Sequence, residues 1–417
     1  MTQAVQLDDV VCPFCSMCCD DLKVAQQGPV LRVLTNGCRI ARDEFVRTTA
    51  DTSPRVDGVP ASLDAALDRA ATILCASKLP VFAGLGTDTA GLRAATALAE
   101  RVGGILDHAG GAGIAANMGA MRTVGWVTAT LAEVRNRSDL VFFVGTDTTK
   151  VAPRFVERCL TPTETLFGPL ARKLIYLGSG IEPAAGFDTT HLPCPPQHLA
   201  EVAAMLRALV HERRPKVESV HGIPVEELAG TAKRLREAQY ATIVWSAGEL
   251  PGPHADLVVQ QLAKLLQELN VAGRAVGVPL VGARNPIGAN QVAAWQTGLP
   301  LPVSLSAGVP DHDPWLYAVR PALTDGGDCL VWIGSFTGSA APPEDVPTIA
   351  LVRGGTVSPH EPTVVIPVGT PGIDHAGSVY RTDSVVALPL RKLRDSALPS
   401  VADVLAALAA RLEGAAC

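Results

Sequence analysis

At 417 residues the chain is too long for one hydrophobic core, so two to four subdomains are expected. Apolar residues make up 47% and charged residues only 18%, with a net charge of −6 and no long basic stretch. That balance argues against nucleic acid as the main partner and predicts a low-charge surface covered by other subunits. No run of about 18 apolar residues exists, and Met1–Gln6 has neither the basic region nor the apolar core of a secretory signal. The expectation is a cytoplasmic protein with no membrane contact.

Residues 1–55 read as a small β-rich cap. Its mark is the spacing Cys12-x2-Cys15-x3-Cys19, followed by Cys38, with Cys18 beside Cys19. Thiolates grouped in this way suit one centre, either an iron–sulfur cluster or a zinc ion. Leu22–Val24 and Leu31–Leu34 are strand-like, and Asn36-Gly37 marks a turn. The remaining cysteines, Cys75, Cys159, Cys194, Cys329 and Cys417, are scattered singly and read as reduced thiols.

From residue 56 helices and strands alternate. Ser62 caps a helix reaching Ile73, Pro80–Gly84 is a short apolar strand, and Gly91–Val102 is helical until Gly103-Gly104 ends it. Asp139–Gly145 and Lys173–Gly178 are continuous apolar runs, the mark of strands buried on both faces of a parallel sheet. Glu212–Pro215 reads as a linker. Beyond it come a helix from about 224, a strand Ala241–Trp245, a helix at 254–268, strands Asp328–Ile333 and Thr363–Pro367, and a final helix at about 399–412. The resulting division is a cap at 1–55, doubly wound α/β lobes at 56–215 and 216–355, and a segment 356–417 completing them.

Gly84-Leu85-Gly86-Thr87 and Gly145-Thr146-Asp147 each follow a buried strand, where open α/β sheets bind ligands. Neither is a full dinucleotide fingerprint. His108–Gly113 reads as a flexible loop of small residues in which His108 is an exposed or hydrogen-bonded loop histidine, or else a base or ligand. Basic residues gather around Arg39, around Lys150 and Arg154, and around Arg391; they are solvated faces or an anion groove.

The stretch Val11–Leu22, VCPFCSMCCDDL, resembles the N-terminus of the B-subunit family of formylmethanofuran dehydrogenase. So do Asn36–Ile40, Leu131–Leu140, Gly288–Val292 with Trp295–Gly298, and Pro371–Asp374 leading to Tyr380–Asp383. The resemblance implies a molybdopterin-oxidoreductase-like fold. It also implies a cluster on Cys12, Cys15, Cys19 and Cys38, and tungsten or molybdenum held by two pterin guanine dinucleotides and one cysteine. The family's metal-ligand segment falls on Asp107–Ala116, with Gly113 at the cysteine and Ile114 at a histidine. Thr146-Asp147 replaces a Gly-x-Asn-Pro turn, and Leu177–Ser179 replaces Asp-Pro-Arg. Neither Gly113 nor Ile114 can do metal or proton chemistry, so no tungsten, molybdenum or molybdopterin is expected.

The pattern is similar to the corresponding component of the bacterial formyltransferase/hydrolase complex, which moves a formyl group from formyl-tetrahydromethanopterin to methylofuran and releases formate during formaldehyde oxidation. The resemblance implies a non-catalytic scaffold with amidohydrolase-like, formyltransferase and further subunits as partners. Arg39, Lys150, Arg154 and Arg381 are expected to hold the polyanionic tail of methylofuran. The alternatives are an active tungsten or molybdenum subunit and an iron–sulfur electron carrier.

Overall fold

Runs such as Pro80–Gly86 and Leu140–Val144, buried at every position, can form strands only where both faces of a sheet are covered. The computed structural model describes residues 5–48, 52–213, 215–250, 252, 255–338 and 340–414, and it places these runs in two mixed α/β units. One unit combines residues 1–111 with 283–417; the other is 112–282.

The first unit holds an eight-stranded sheet. Its order is Val303–Ser304, Ile105–Leu106, Pro80–Gly86, Cys329–Gly334, Thr348–Arg353, Val364–Val368, Arg55–Val56 and Val59–Pro60. The five central strands are parallel and the edge strands antiparallel. Alternation divides the buried side chains. Phe82, Val331, Ile349 and Ile366 join the core under helices Leu63–Ala76, Thr89–Val102, Pro286–Thr297 and Val401–Gly414. Val81, Leu330, Trp332 and Ala350 form the core on the other face. Local signals set the helix ends: Ser62 Oγ accepts from the Ala65 N–H at 3.1 Å, and Gly103 closes its helix at φ +65°. The cap also belongs to this unit, as an antiparallel sheet of Val5–Val10, Leu22–Gln27 and Val30–Thr35 followed by helix Arg39–Phe45.

The second unit has five parallel strands in the order Asp188–Leu192, Lys173–Leu177, Leu140–Val144, Ala241–Trp245 and Ala275–Pro279. Helices Leu199–Val210, Val225–Glu237 and Ala255–Leu269 pack into its core. Numbered along the chain, the strand order is 3-2-1-4-5, the doubly wound arrangement whose switch point lies between Leu140–Val144 and Ala241–Trp245.

The contiguous lobes 56–215 and 216–355 differ from this grouping. Residues 212, 213 and 215 lie inside the second unit, and Pro80–Gly86 pairs with Cys329–Gly334 across that division. Arg214 of the linker lies outside the described residues. Apolar strands carry no address for their partners, so the pairing was invisible in the chain. His108–Gly113 is not a free loop, because helix Gly111–Thr123 begins within it. Cys75 is disulfide-bonded, which corrects its reading as a reduced thiol.

Candidate functional site

In the cap, Cys12, Cys15, Cys18 and Cys19 are buried and Cys38 is half-buried, none of them in a disulfide. The loop carrying them closes on itself: the Cys12 N–H donates to the Cys19 carbonyl at 2.8 Å, and the Cys18 N–H to Cys15 at 3.1 Å. Cys38 is the N-cap of helix Arg39–Phe45 but spends no side-chain bond on the cap, leaving its sulfur for other use. Phe14, fully buried between the cysteines, meets Phe45 edge-on at 5.4 Å and lies under the Arg353 guanidinium at 5.6 Å.

Burial, reinforced by Cys15, Cys19 and Cys38, drives the Cys12 thiol well above its ordinary value. Burial, with Cys19 and Cys38, pushes Cys15 up to about 12. The structure thus brings Cys12, Cys15, Cys19 and Cys38 into one electrostatic neighbourhood. Cys18 is different. At φ +44° its sulfur reaches the Tyr380 carbonyl at 3.7 Å and packs with Phe336, Val379 and Leu390. Four grouped thiols fit a thiolate-bound group, and the raised pKa values of Cys12 and Cys15 mean that binding one there releases protons.

The segment Asp107–Ala116 is built otherwise. Asp107 receives the N–H groups of His108 at 2.8 Å and Val319 at 3.1 Å, yet burial still raises its carboxyl to about 7. His108 is buried with both ring nitrogens committed: Nδ1 accepts from the Gly110 N–H at 2.8 Å, and Nε2 donates to the Arg284 carbonyl at 3.0 Å. Burial lowers it to about 4, so it is a neutral, locked histidine and not a base. At Gly113 a Cβ would stand 2.9 Å from the Gly248 nitrogen and 3.0 Å from its Cα. Backbone therefore fills the space that a cysteine side chain would need in order to reach a metal. The next side chain, Ile114, is buried and apolar. These residues do not fit a tungsten or molybdenum centre.

The turn after Leu140–Val144, at the switch point, is already occupied. The carboxylate of Glu249 accepts from the Thr146 hydroxyl at 3.1 Å and the Asp147 N–H at 3.3 Å, where a nucleotide phosphate would dock. Asp147 caps the short helix Thr148–Val151 through the Thr149 N–H at 3.0 Å and pairs with Lys150 at 3.2 Å. Burial pushes its carboxyl up, but the bonds from Thr149 and Lys150 outweigh that and hold it below the usual range. In the first unit, the turn Gly84–Thr87 is closed by Ser335, whose N–H and hydroxyl both donate to the Gly86 carbonyl, at 2.8 and 3.0 Å. Gly84, at φ +78°, has the Ile333 carbonyl 2.6 Å from the position of a Cβ.

The four basic residues expected to hold an anionic tail each have a carboxylate within four positions. Exposed Arg39 pairs with Asp43 at 3.6 Å, Lys150 with Asp147, buried Arg154 with Glu157 at 2.5 Å, and Arg381 with buried Asp383 at 2.6 Å. Arg154 and Arg381 are committed to these pairs, while Arg39 and Lys150 stay largely exposed. Sequence reasoning missed Glu249, which no motif marks. It also missed His198, Glu201 and His221, whose donor atoms meet; the His198-x2-Glu201 spacing at a helix start was the available signal.

No family model matches the chain. It is 26% identical over 405 residues to the B subunit of the tungsten-containing formylmethanofuran dehydrogenase 2 of Methanococcus maripaludis, covering 92% of the chain and 93% of that relative. It is 30% identical over 329 residues to the B subunit of the formyltransferase/hydrolase complex Fhc of Methylorubrum extorquens, covering 78% of the chain and 87% of that relative. The chain belongs to the B-subunit family of formylmethanofuran dehydrogenase. The crystal structure of the formyltransferase/hydrolase complex (FhcABCD) from Methylorubrum extorquens in complex with methylofuran contains a chain matched with a TM-score of 0.74 and 27% identity, over 87% of this chain and 99% of that one. Acetylene hydratase from Pelobacter acetylenicus shares the fold alone, with a TM-score of 0.66 at 13% identity over 98% of this chain and 69% of that one. Among the described residues no helix is long and apolar enough to cross a membrane.

Proposed function

We propose that the chain is a family member without a redox centre of its own, the structural frame of a formyltransferase/hydrolase complex. In that reading amidohydrolase-like, formyltransferase and further subunits move a formyl group from formyl-tetrahydromethanopterin to methylofuran and release it as formate in the cytoplasm. The observation that carries the reading is Gly113, which has no ligand atom and is packed against the backbone of Gly248. The Glu249 carboxylate at the phosphate turn supports it, since it would repel an anionic cofactor. Exposed Leu166, Phe167, Trp315 and Leu316 support a surface that partner subunits cover. The test is to purify the intact complex and measure formyl transfer and formate release together with its metals. Turnover without tungsten or molybdenum is expected. Stoichiometric tungsten or molybdenum, or viologen reduction by formylmethanofuran, would overturn the reading in favour of an active dehydrogenase subunit.

The cap supports a second element of the proposal: Cys12, Cys15, Cys19 and Cys38 hold an iron–sulfur cluster, a group that stores or passes single electrons. Sulfurs on one tetrahedral zinc stand only about 3.8 Å apart, given bonds of about 2.3 Å. The cysteines are not among the donor sets of the described residues that converge within 4.8 Å, and a cluster, with each sulfur on its own iron, does not require that convergence. The pairing of largely buried Arg154 and Arg381 favours a structural role for them, which leaves exposed Arg39 and Lys150 as the candidates for contact with the methylofuran tail.

A further inference from the structure

In the second unit His198, Glu201 and His221 form a group that neither the family nor the proposed function uses. His198 ends the short turn Pro196–His198, and Glu201 lies in the first turn of the helix Leu199–Val210 that follows. His221 sits in the turn of the hairpin Ser219–Val220/Ile223–Pro224 with φ +47°. The two imidazole rings stack at 3.7 Å and 11°. Glu201 Oε2 stands 3.0 Å from His198 Nδ1 and also pairs with His221 Nε2. One donor atom from each residue lies within 4.8 Å of the other two.

This is a two-imidazole, one-carboxylate set. Bonds of about 2.0–2.1 Å in tetrahedral geometry place donors about 3.3 Å apart, close to the 3.0 Å seen between Glu201 and His198. Turned out of this stack, each imidazole can offer a ring-nitrogen lone pair to a cation beside the carboxylate. The side chains of His198 and His221 are about a third exposed and that of Glu201 more so. Water can therefore reach the remaining coordination position. We propose that His198, Glu201 and His221 bind one divalent cation of the zinc class, clamping the hairpin onto the start of the helix.

Cobalt(II) titrated into the intact complex tests this, because its spectrum reports the ligands. One equivalent with weak visible bands of nitrogen–oxygen ligation and no thiolate charge-transfer band is expected. Glu201→Gln and His221→Asn should each raise the dissociation constant for that equivalent at least about 100-fold, beyond the 10–100-fold typical of losing an outer partner of a metal ligand. Asparagine suits the positive φ at residue 221, and glutamine keeps the hydrogen bonds of Glu201, so both variants preserve the local fold. Wild-type affinity in both variants, or cobalt bound only with thiolate bands, would overturn the proposal.

Discussion

The cysteine cap and the segment Asp107–Ala116 are the two places where the family's metal chemistry would reside, and they have been built in opposite ways. In the cap, four thiols share one neighbourhood around a fully buried Phe14, and one of them, Cys38, forgoes a side-chain capping bond. In the segment, every group that could act is either spent or absent. Asp107 holds two backbone N–H groups, His108 is bonded at both nitrogens, and Gly113 is closed off by Gly248. The difference teaches that a fold can keep a donor set where the donors also make the local core, and can fill another site with its own backbone.

The sharpest way to break the comparison is to remove two donors from the cap. Cys12→Ser combined with Cys15→Ser should abolish bound iron and sulfide in the purified complex and open the cap to limited proteolysis. The loss is bounded by the binding energy of such a group, on the order of 10 kcal/mol. Unchanged proteolysis would show that the cap stands on packing alone. Phe14→Ala comes next: it removes the ring that meets Phe45 and Arg353 and should destabilise the chain by about 3–5 kcal/mol in urea unfolding.

The segment answers to pH. Folded His108 stays neutral down to about 4, while an unfolded histidine takes up a proton below about 6.5. Its contribution to stability is therefore full above that range and lost as pH falls from about 6.5 to 4. Folded Asp107 stays protonated up to about 7, while an unfolded carboxyl ionises above about 3.8. Its contribution is full at low pH and lost as pH rises from about 3.8 to 7. The opposed slopes offset each other in wild type. His108→Gln leaves the Asp107 slope alone, so stability should fall by roughly 3–4 kcal/mol between pH 4 and 7, read from urea midpoints. A flat profile in that variant would mean that Asp107 is ionised in the folded chain. The smallest effect belongs to Gly113→Cys: the new side chain meets the Gly248 backbone and should cost about 1–3 kcal/mol while leaving the tungsten content of the complex unchanged. Tungsten uptake would show that the site is only one ligand short.

Much of the fold could be read from the chain because strands buried on both faces are written as unbroken apolar runs. Pro80–Gly86, Leu140–Val144, Lys173–Leu177 and Ala241–Trp245 were visible for that reason, and Ser62 and Gly103 marked helix ends through their own chemistry. Helix Gly111–Thr123 was not, since Gly111, Gly113 and Gly119 weaken the local preference and tertiary packing supplies what propensity lacks. Thr348–Arg353 was missed in a stretch dominated by proline and glycine signals on either side. For the site, the cysteine spacing announced itself, and the loss of a ligand at Gly113 was legible from the family pattern. The filling of the vacated space by Gly248 and the bond from Glu249 to the phosphate turn were not, because each joins residues more than a hundred positions apart.

The eight-stranded sheet has a consequence for how the polypeptide is made. Its first long strand, Pro80–Gly86, finds its neighbour Cys329–Gly334 only after some 240 further residues have been added. The intervening unit, 112–282, is continuous and can fold while still on the ribosome. The cap strands Val5–Val10, Leu22–Gln27 and Val30–Thr35 pair with one another, and Pro80–Gly86 pairs with Ile105–Leu106, but the other edge of Pro80–Gly86 stays open until Cys329–Gly334 has been added. Buried Arg394, which binds Asp374 at 2.7 Å and the carbonyls of Pro29 and Arg47, ties the N-terminal segment to a still later part of the chain. Any group destined for the cap therefore meets the Arg353 guanidinium that covers Phe14 only after that residue has been added, some 300 positions beyond the cysteines.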